Sequence, residues 1–273
     1  MSGTEARPAE SDGGRSVRIA AVGDLHFTGE GGGALRELFA DVHRSADILV
    51  LCGDLTAHGT PEQMRGFVEE LAGVKIPVVA VLGNHDCETG NEAVVSTILC
   101  DRGVHVLDGT HVVVDGVGFA GAKGFAGGFG RGALAPFGEP IIKQFVQAAI
   151  DEALKIENAL RNLAADTRIA LLHYAPIVDT VLGEPETIYA FLGSSRLVQP
   201  LDTLGVNVVF HGHAHHGSIE GTTPGGVPVR NVALPLLREL GVDFYTWDAP
   251  APERRWSVET RAAERRARAG EQK

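Results

Sequence analysis

The chain has 273 residues, 44% of them apolar and 22% charged, which suits a soluble globular protein with a sizeable core and excludes a fibre or a wholly disordered chain. Its net charge of −11 argues against a broad nucleic-acid-binding face. No apolar run approaches the ~20 residues that a bilayer span requires. Its 3 cysteines (Cys52, Cys87 and Cys100) form no C-x-x-C pair, so a reduced, cytoplasmic protein without a disulfide framework is expected.

Residues 1–16 are polar and Gly-rich and read as an N-terminal tail. An apolar strand at 17–22 leads to a helix near 33–45, where Leu35, Leu38, Phe39 and Val42 recur at helical spacing. A strand at 47–52 precedes a helix at 61–72, with Pro61 suited to its first turn. A strand at 77–82 then precedes a helix at 91–102. This βαβαβ order predicts parallel pairing with right-handed crossovers.

From residue 104 the texture changes. Short strands at 104–107, 111–114 and 117–120 are separated by Asp108-Gly109 and Asp115-Gly116, a pattern that predicts two hairpins. A Gly-rich insertion at about 121–138 follows, readable as a lid over a site or as a plain surface loop. A long helix at 139–164 presents Ile142, Phe145, Val146, Ala149, Ile150, Ala153 and Leu160 on one face. After a strand ending at His173, an irregular loop covers 174–193. Ser194 or Ser195 is placed to cap a helix running to Leu204. Strands near 206–210, 216–220, 227–232 and 242–247 finish the sheet. Residues 17–258 thus read as one domain, followed by a charged tail at 259–273.

Polar blocks interrupt this pattern after the apolar runs. They are Gly23-Asp24-Leu25-His26, Gly53-Asp54, Gly83-Asn84-His85-Asp86, His173 and Gly212-His213-Ala214-His215. In open α/β sheets, functional groups gather at the carboxyl ends of strands. Carboxylates, imidazoles and a carboxamide converging there suit divalent ions of intermediate hardness, such as Mn, Fe, Zn, Co or Ni. The candidate ligands Asp24, His26, Asp54, Asn84, His173, His213 and His215 are too many for one ion. Two ions sharing a bridging carboxylate would use all of them, and such pairs clamp the attacking and leaving oxygens of a phosphoryl displacement.

Taken in order, the blocks G-D-x-H, G-D-x-x-x-x-G (Gly53 to Gly59), G-N-H-D, a lone His after a strand and G-H-x-H resemble the calcineurin-like metallophosphoesterase superfamily. The resemblance covers roughly residues 17–247. It implies an α/β fold, a four-layer α/β/β/α sandwich of two mixed sheets flanked by helices, with a dinuclear metal site at the strand C-terminal ends. By position it implies Asp24, His26 and His215 on one ion, and Asn84, His173 and His213 on the other, with Asp54 bridging. It gives His85 an outer role, touching the phosphate and protonating the leaving oxygen.

The activity so implied is that of a phosphodiesterase on a small-molecule or nucleotide substrate, a metal-bridging hydroxide attacking phosphorus in line. A phosphomonoesterase, a nuclease or a non-catalytic binding scaffold of the same superfamily are the alternatives. The acidic balance leaves no evident duplex-binding surface. Lys123 and Arg131 are the phosphate contacts expected if the Gly-rich insertion is a lid, and Tyr189 is placed to stack on a base. Asp86 is expected to cap the turn that follows it, His211 to support the site from behind, and His58 to face solvent or substrate.

Overall fold

Three runs, Val17–Val22 (β1), Ile48–Cys52 (β2) and Val78–Val81 (β3), are apolar with almost no polar alternation, so each needs cover on both faces. The computed structural model describes residues 16–29, 33 and 35–250, and pairs these three strands in parallel, β1 with β2 and β2 with β3. The expected tails fall outside the described residues, apart from Ser16.

Helices occupy the crossovers. Arg36–Ser45 (α1) buries Leu38, Phe39 and Val42. Pro61–Glu70 (α2) is capped by the Thr60 side chain, which accepts from the Gln63 amide, and holds Pro61 in its first turn, where the missing N–H costs nothing. Glu92–Asp101 (α3) completes the set.

The chain then changes sheet. His105–Val106 (β4) still pairs in parallel with β3, whereas Thr110–Val114 (β5) and Val117–Gly121 (β6) belong to a second sheet. The expected hairpin at Asp108-Gly109 is therefore wrong. That dipeptide is the crossing between sheets, and Gly109 donates to the carbonyl of Gly121 rather than closing a turn. The hairpin at Asp115-Gly116 forms, with φ of 49° and 80° at the two residues, as a two-residue turn between twisted strands requires.

Pro140–Asn162 (α4), Thr167–Leu171 (β7), Tyr189–Leu192 (α5), Val198–Thr203 (α6), Val208–His211 (β8), Glu220–Thr222 (β9), Pro228–Asn231 (β10), Leu234–Glu239 (α7) and Tyr245–Ala249 (β11) follow. One sheet has the order β11-β1-β2-β3-β4, the other β5-β6-β7-β8-β10-β9. Both mix parallel and antiparallel pairs. The period-2 alternation of β7 shows the layering. Ile169 and Leu171 join the core shared with β1–β3, while Ala170 and Leu172 pack with Ile156, Leu160, Leu197 and Leu201 from the helical side.

Several expectations shift. The strand read at 216–220 lies at Glu220–Thr222, because the preceding residues form the loop bearing the last histidines. The strand read at 242–247 lies at Tyr245–Ala249 and returns to the first sheet, antiparallel to β1. The span 174–193 contains short helical turns at Val178–Val181 and Glu186–Ile188 and the helix α5. Helix α7 has no counterpart among the expected elements.

Candidate metal centre

The blocks that follow β1, β2, β3, β7 and β8 converge at the carboxyl ends of these strands. The first-sheet loops are laid side by side, as if the parallel pairing continued: Asp24 N–H donates to Gly53 O, His26 N–H to Asp54 O and Phe27 N–H to Leu55 O. Asp24, His26, Asp54 and His213 all have positive φ, between 45° and 71°. Among the described residues only Asp115, in its hairpin, shares that conformation without being glycine. Strained backbone of this kind is kept where the surroundings demand it.

Glycines make room for the carboxylates. A Cβ on Gly83 would overlap Asp54 at Oδ1 and N, and one on Gly212 would overlap Oδ2 of Asp24. The side-chain carboxylates therefore lie directly against neighbouring backbone.

Three overlapping groups of donor atoms result: Asp24, His26 and His215; His26, Asp54 and His85; Asp54, His173 and His213. Within each, the donor atoms lie within 4.8 Å of one another. His215 Nε2 is 3.0 Å from Asp24 Oδ1 and 3.4 Å from His26 Nε2. His26 Nε2 and His85 Nε2 are 3.8 and 3.9 Å from Asp54 Oδ2. On the other side, His173 Nε2 is 2.8 Å from Asn84 Oδ1 and 3.4 Å from Asp54 Oδ1.

Tautomers follow from carbonyl partners, which only accept. His173 Nδ1 donates to Cys52 O at 2.9 Å, and His85 Nδ1 to Ala57 O at 2.8 Å. In both rings Nε2 is left on the side of the Asp54 carboxylate, the arrangement a metal-binding or proton-carrying imidazole needs.

The electrostatics centre on two buried carboxylates, Asp24 and Asp54. Burial opposes a charge on His173, but the neighbouring Asp54 carboxylate outweighs it and raises the imidazole to about 9. Burial likewise works against ionised Asp54, yet His173 holds it below the usual carboxylate range. Burial and the charge on His173 push His213 down to about 3. The bond to Asp24 raises His215, and burial lowers His26. A proton on His173 thus balances charge that a divalent cation could balance instead. Oxygen and imidazole donors, no thiolate and buried negative charge fit a pair of hard-to-intermediate divalent ions.

Outside the donor set, Lys123 is half-buried, its ammonium 5.1 Å over the Phe125 ring and 5.2 Å over that of Tyr174. Arg131 is exposed on a short turn at Gly130–Gly132. The Gly-rich stretch is stitched to α5 and the segment after it: Gly127 N–H donates to Ala190 O, Gly128 N–H to Gly193 O and Ser195 N–H to Gly128 O. Tyr189 packs with the small cluster of Ala175, Val181, Leu192 and Ala214. His58 is exposed beside Glu88.

Asp86 does not cap the following turn, as expected from its position. It is buried and accepts from the amides of Leu55, Thr56 and Gly83 and from the Thr56 hydroxyl, which ties the second block to the third. His211 does lie behind the site. Its Nδ1 donates to Gly212 O and its Nε2 accepts from the Thr180 hydroxyl, each at 2.8 Å.

No pattern in the sequence points to Thr180 or to Asn231, whose amide donates to Ala214 O at 2.7 Å and braces the loop between His213 and His215. Tyr174 and Phe191 carry no such signal either. The Tyr174 ring lies 4.4 Å from that of His213, and the Phe191 carbonyl is 3.2 Å from His213 Nε2.

A family model described as calcineurin-like phosphoesterase matches residues 17–217. The chain is 37% identical over 84 residues to a protein from Synechococcus named a probable cyclic nucleotide phosphodiesterase. That match covers 26% of this chain and only 32% of the relative's length. The phosphopantetheinyl hydrolase of Mycobacterium tuberculosis is similar in structure, with a TM-score of 0.64 at 14% identity over 89% of this chain and 99% of its own. The protein TT1561 of Thermus thermophilus gives a TM-score of 0.51 at 17% identity, over 85% and 99%. At such identities the two structures speak for the fold alone.

Proposed function

The chain belongs to the calcineurin-like phosphoesterase family, and from that premise we propose that this metal-dependent phosphoester hydrolase is a phosphodiesterase acting on a small-molecule or nucleotide substrate. The observation that carries the reading is the sharing of Asp54 between two donor groups, one with His26 and His85 and one with His173 and His213. A carboxylate so shared suits two ions rather than one.

Asp24, His26 and His215 would hold the first ion; Asn84, His173 and His213 the second; and Asp54 both. Two divalent ions there would supply positive charge for phosphate oxygens and a water acidic enough to attack near neutral pH. Asn84 contributes a neutral oxygen, so it completes a donor set without cancelling that charge. The Cys52 and Ala57 carbonyls orient His173 and His85 before any substrate arrives.

His85 is the proton carrier in this reading. With Nδ1 committed to Ala57 O, the imidazolium holds its transferable proton at Nε2, on the side facing Asp54. Its side chain is 40% exposed, enough to meet a substrate entering from solvent. A departing alkoxide needs such a donor. The same reading takes residues 17–258 as one catalytic domain, and gives Lys123 and Arg131 the role of contacting phosphate oxygens, with Tyr189 beside the ester group.

A diester is favoured over a monoester because a monoanion needs fewer cationic partners. Lys123, whose ammonium lies 5.2 Å over the Tyr174 ring beside His213, is the cationic side chain this reading sets closest to the phosphate. The stretch similar to a protein named a probable cyclic nucleotide phosphodiesterase supports the same preference. A monoesterase or nuclease would keep the same donor set. A binding scaffold would have no use for an outer histidine with a free Nε2. The test is a comparison of matched diesters, monoesters and pyrophosphates with Mn, Fe, Zn, Co and Ni supplied separately. Higher kcat/KM for the diester is expected; higher kcat/KM for monoesters overturns the preference.

A further inference from the structure

Aromatic rings run outward from the candidate centre in one unbroken series. The Tyr174 ring lies 4.4 Å from that of His213, Phe125 is 5.8 Å from Tyr174, Phe145 is 5.1 Å from Phe125, and Phe191 is 6.4 Å from Phe145. The series ends where it began, because the Phe191 carbonyl is 3.2 Å from His213 Nε2. Burial falls along it: Tyr174 is 7% exposed, whereas Phe191 is 59% exposed. Ile141, one helical turn before Phe145 on α4, is 66% exposed and extends the apolar surface. Water thus reaches the outer end of the series at Phe191 and Ile141, while its inner end abuts the candidate donor His213.

We propose that this arc is a subsite for an aromatic ring carried on the ester group that remains on phosphorus, a ring of the aryl or nucleobase class. The proposal rests on the phosphoesterase reading of the centre and deepens it. Phe191 offers an open ring face, Phe145 backs it, and the Lys123 ammonium lies over Phe125 and Tyr174 at the inner end. Ring stacking tolerates many ring types, because every aromatic has a π-face, while a ribose or short alkyl group gains little from it. Phe191 sits on a four-residue helix whose neighbour Leu192 is buried and anchors it, so the exposed ring is held in place rather than trailing.

Three diesters with one leaving group read the proposal: the para-nitrophenyl esters of methyl phosphate, phenyl phosphate and thymidine monophosphate. The phenyl and thymidine esters should exceed the methyl ester in kcat/KM by about ten-fold or more, chiefly through KM. A thymidine ester better than the phenyl ester marks a nucleobase site, and the reverse marks an aryl site. Phe191→Leu, which keeps apolar volume and removes the ring, should bring these ratios toward one, as should Phe191→Ala. Calorimetry with benzylphosphonate and propylphosphonate, which have no ester bond to break, reads the same subsite without turnover. Tighter binding of the benzyl compound, lost in Phe191→Leu, supports the subsite even if every diester is inert, in which case the phosphodiesterase reading alone falls. Equal affinity for the two phosphonates, or equal kcat/KM for the three diesters, overturns it.

Discussion

The backbone amide of His213 donates to both carboxylate oxygens of Asp24, at 3.1 and 2.9 Å, joining the first polar block of the chain to the last. This contact aims the Asp24 carboxylate and sets the path of the loop that carries His213 and His215. Charge-assisted bonds of this kind are among the stronger ones in a protein. A centre assembled from such distant pieces responds sharply to small changes, and the following outcomes are expected.

Asp54→Asn should cost more turnover than a change at any one other donor, because its two oxygens face different donors, Oδ2 towards His26 and His85 and Oδ1 towards His173. A loss of several powers of ten is expected, together with a metal content below two ions per chain. Elemental analysis beside steady-state kinetics checks it. Near-normal turnover with full metal content would remove Asp54 from the bridging position.

His85→Ala should keep its metal content yet lose ~10²–10⁴-fold in diester turnover if the side chain donates a proton to the leaving oxygen. The loss should shrink for nitrophenolate esters, whose leaving group departs unprotonated. Equal losses across good and poor leaving groups would assign His85 to positioning the substrate.

The chelated protein should become less stable as pH rises. Burial alone would lower His173, but the Asp54 carboxylate overrides it, and the ring titrates near about 9 in the folded chain, above the ordinary histidine value of about 6.5. A raised pKa contributes stability that is fully present below the unfolded value and is lost as pH climbs through the folded one. Between those limits the loss is a few kcal/mol at most, on the order of the shift itself. Metal uptake must displace that proton, so apparent metal affinity should rise with pH over the same window. Thermal melts of chelated and loaded protein across that range test both; a chelated protein equally stable throughout would refute the assignment.

Gly83→Ala should abolish metal binding and destabilise the fold by about 1–3 kcal/mol, since its Cβ would overlap the Asp54 side chain and backbone. Gly73→Ala is the control, because nothing lies within 4 Å of a Cβ there. Equal metal content in the two variants would show that the close approach at Gly83 is not needed.

Local chemistry explains which of these features are legible in the sequence. The apolar runs of β1, β2 and β3 and the helical spacing in α1 and α4 are properties of neighbouring residues, so periodicity reveals them. The donor blocks are visible because each follows such a run. Asp108-Gly109 and Asp115-Gly116 are chemically identical as dipeptides. Only the partner of the next strand, a long-range fact, separates a sheet crossing from a hairpin. The same holds for Asp86, whose partners Leu55 and Thr56 lie 31 and 30 residues away. Tyr174 and Phe191 read as ordinary packing residues until α4 and α5 are set beside His213.

Among the described strands, the first in chain order, β1, takes its outer neighbour from the last, since Val17 pairs with Ala249 and Ala21 with Tyr245. Until β11 arrives, β1, four of whose six residues are buried in the finished protein, keeps one edge of amides and carbonyls open to other chains. A polypeptide interrupted just before Tyr245 therefore contains every donor residue of the centre and still presents that sticky edge. Such a truncated chain is expected to self-associate through that edge, which light scattering of the truncated and full-length proteins would reveal.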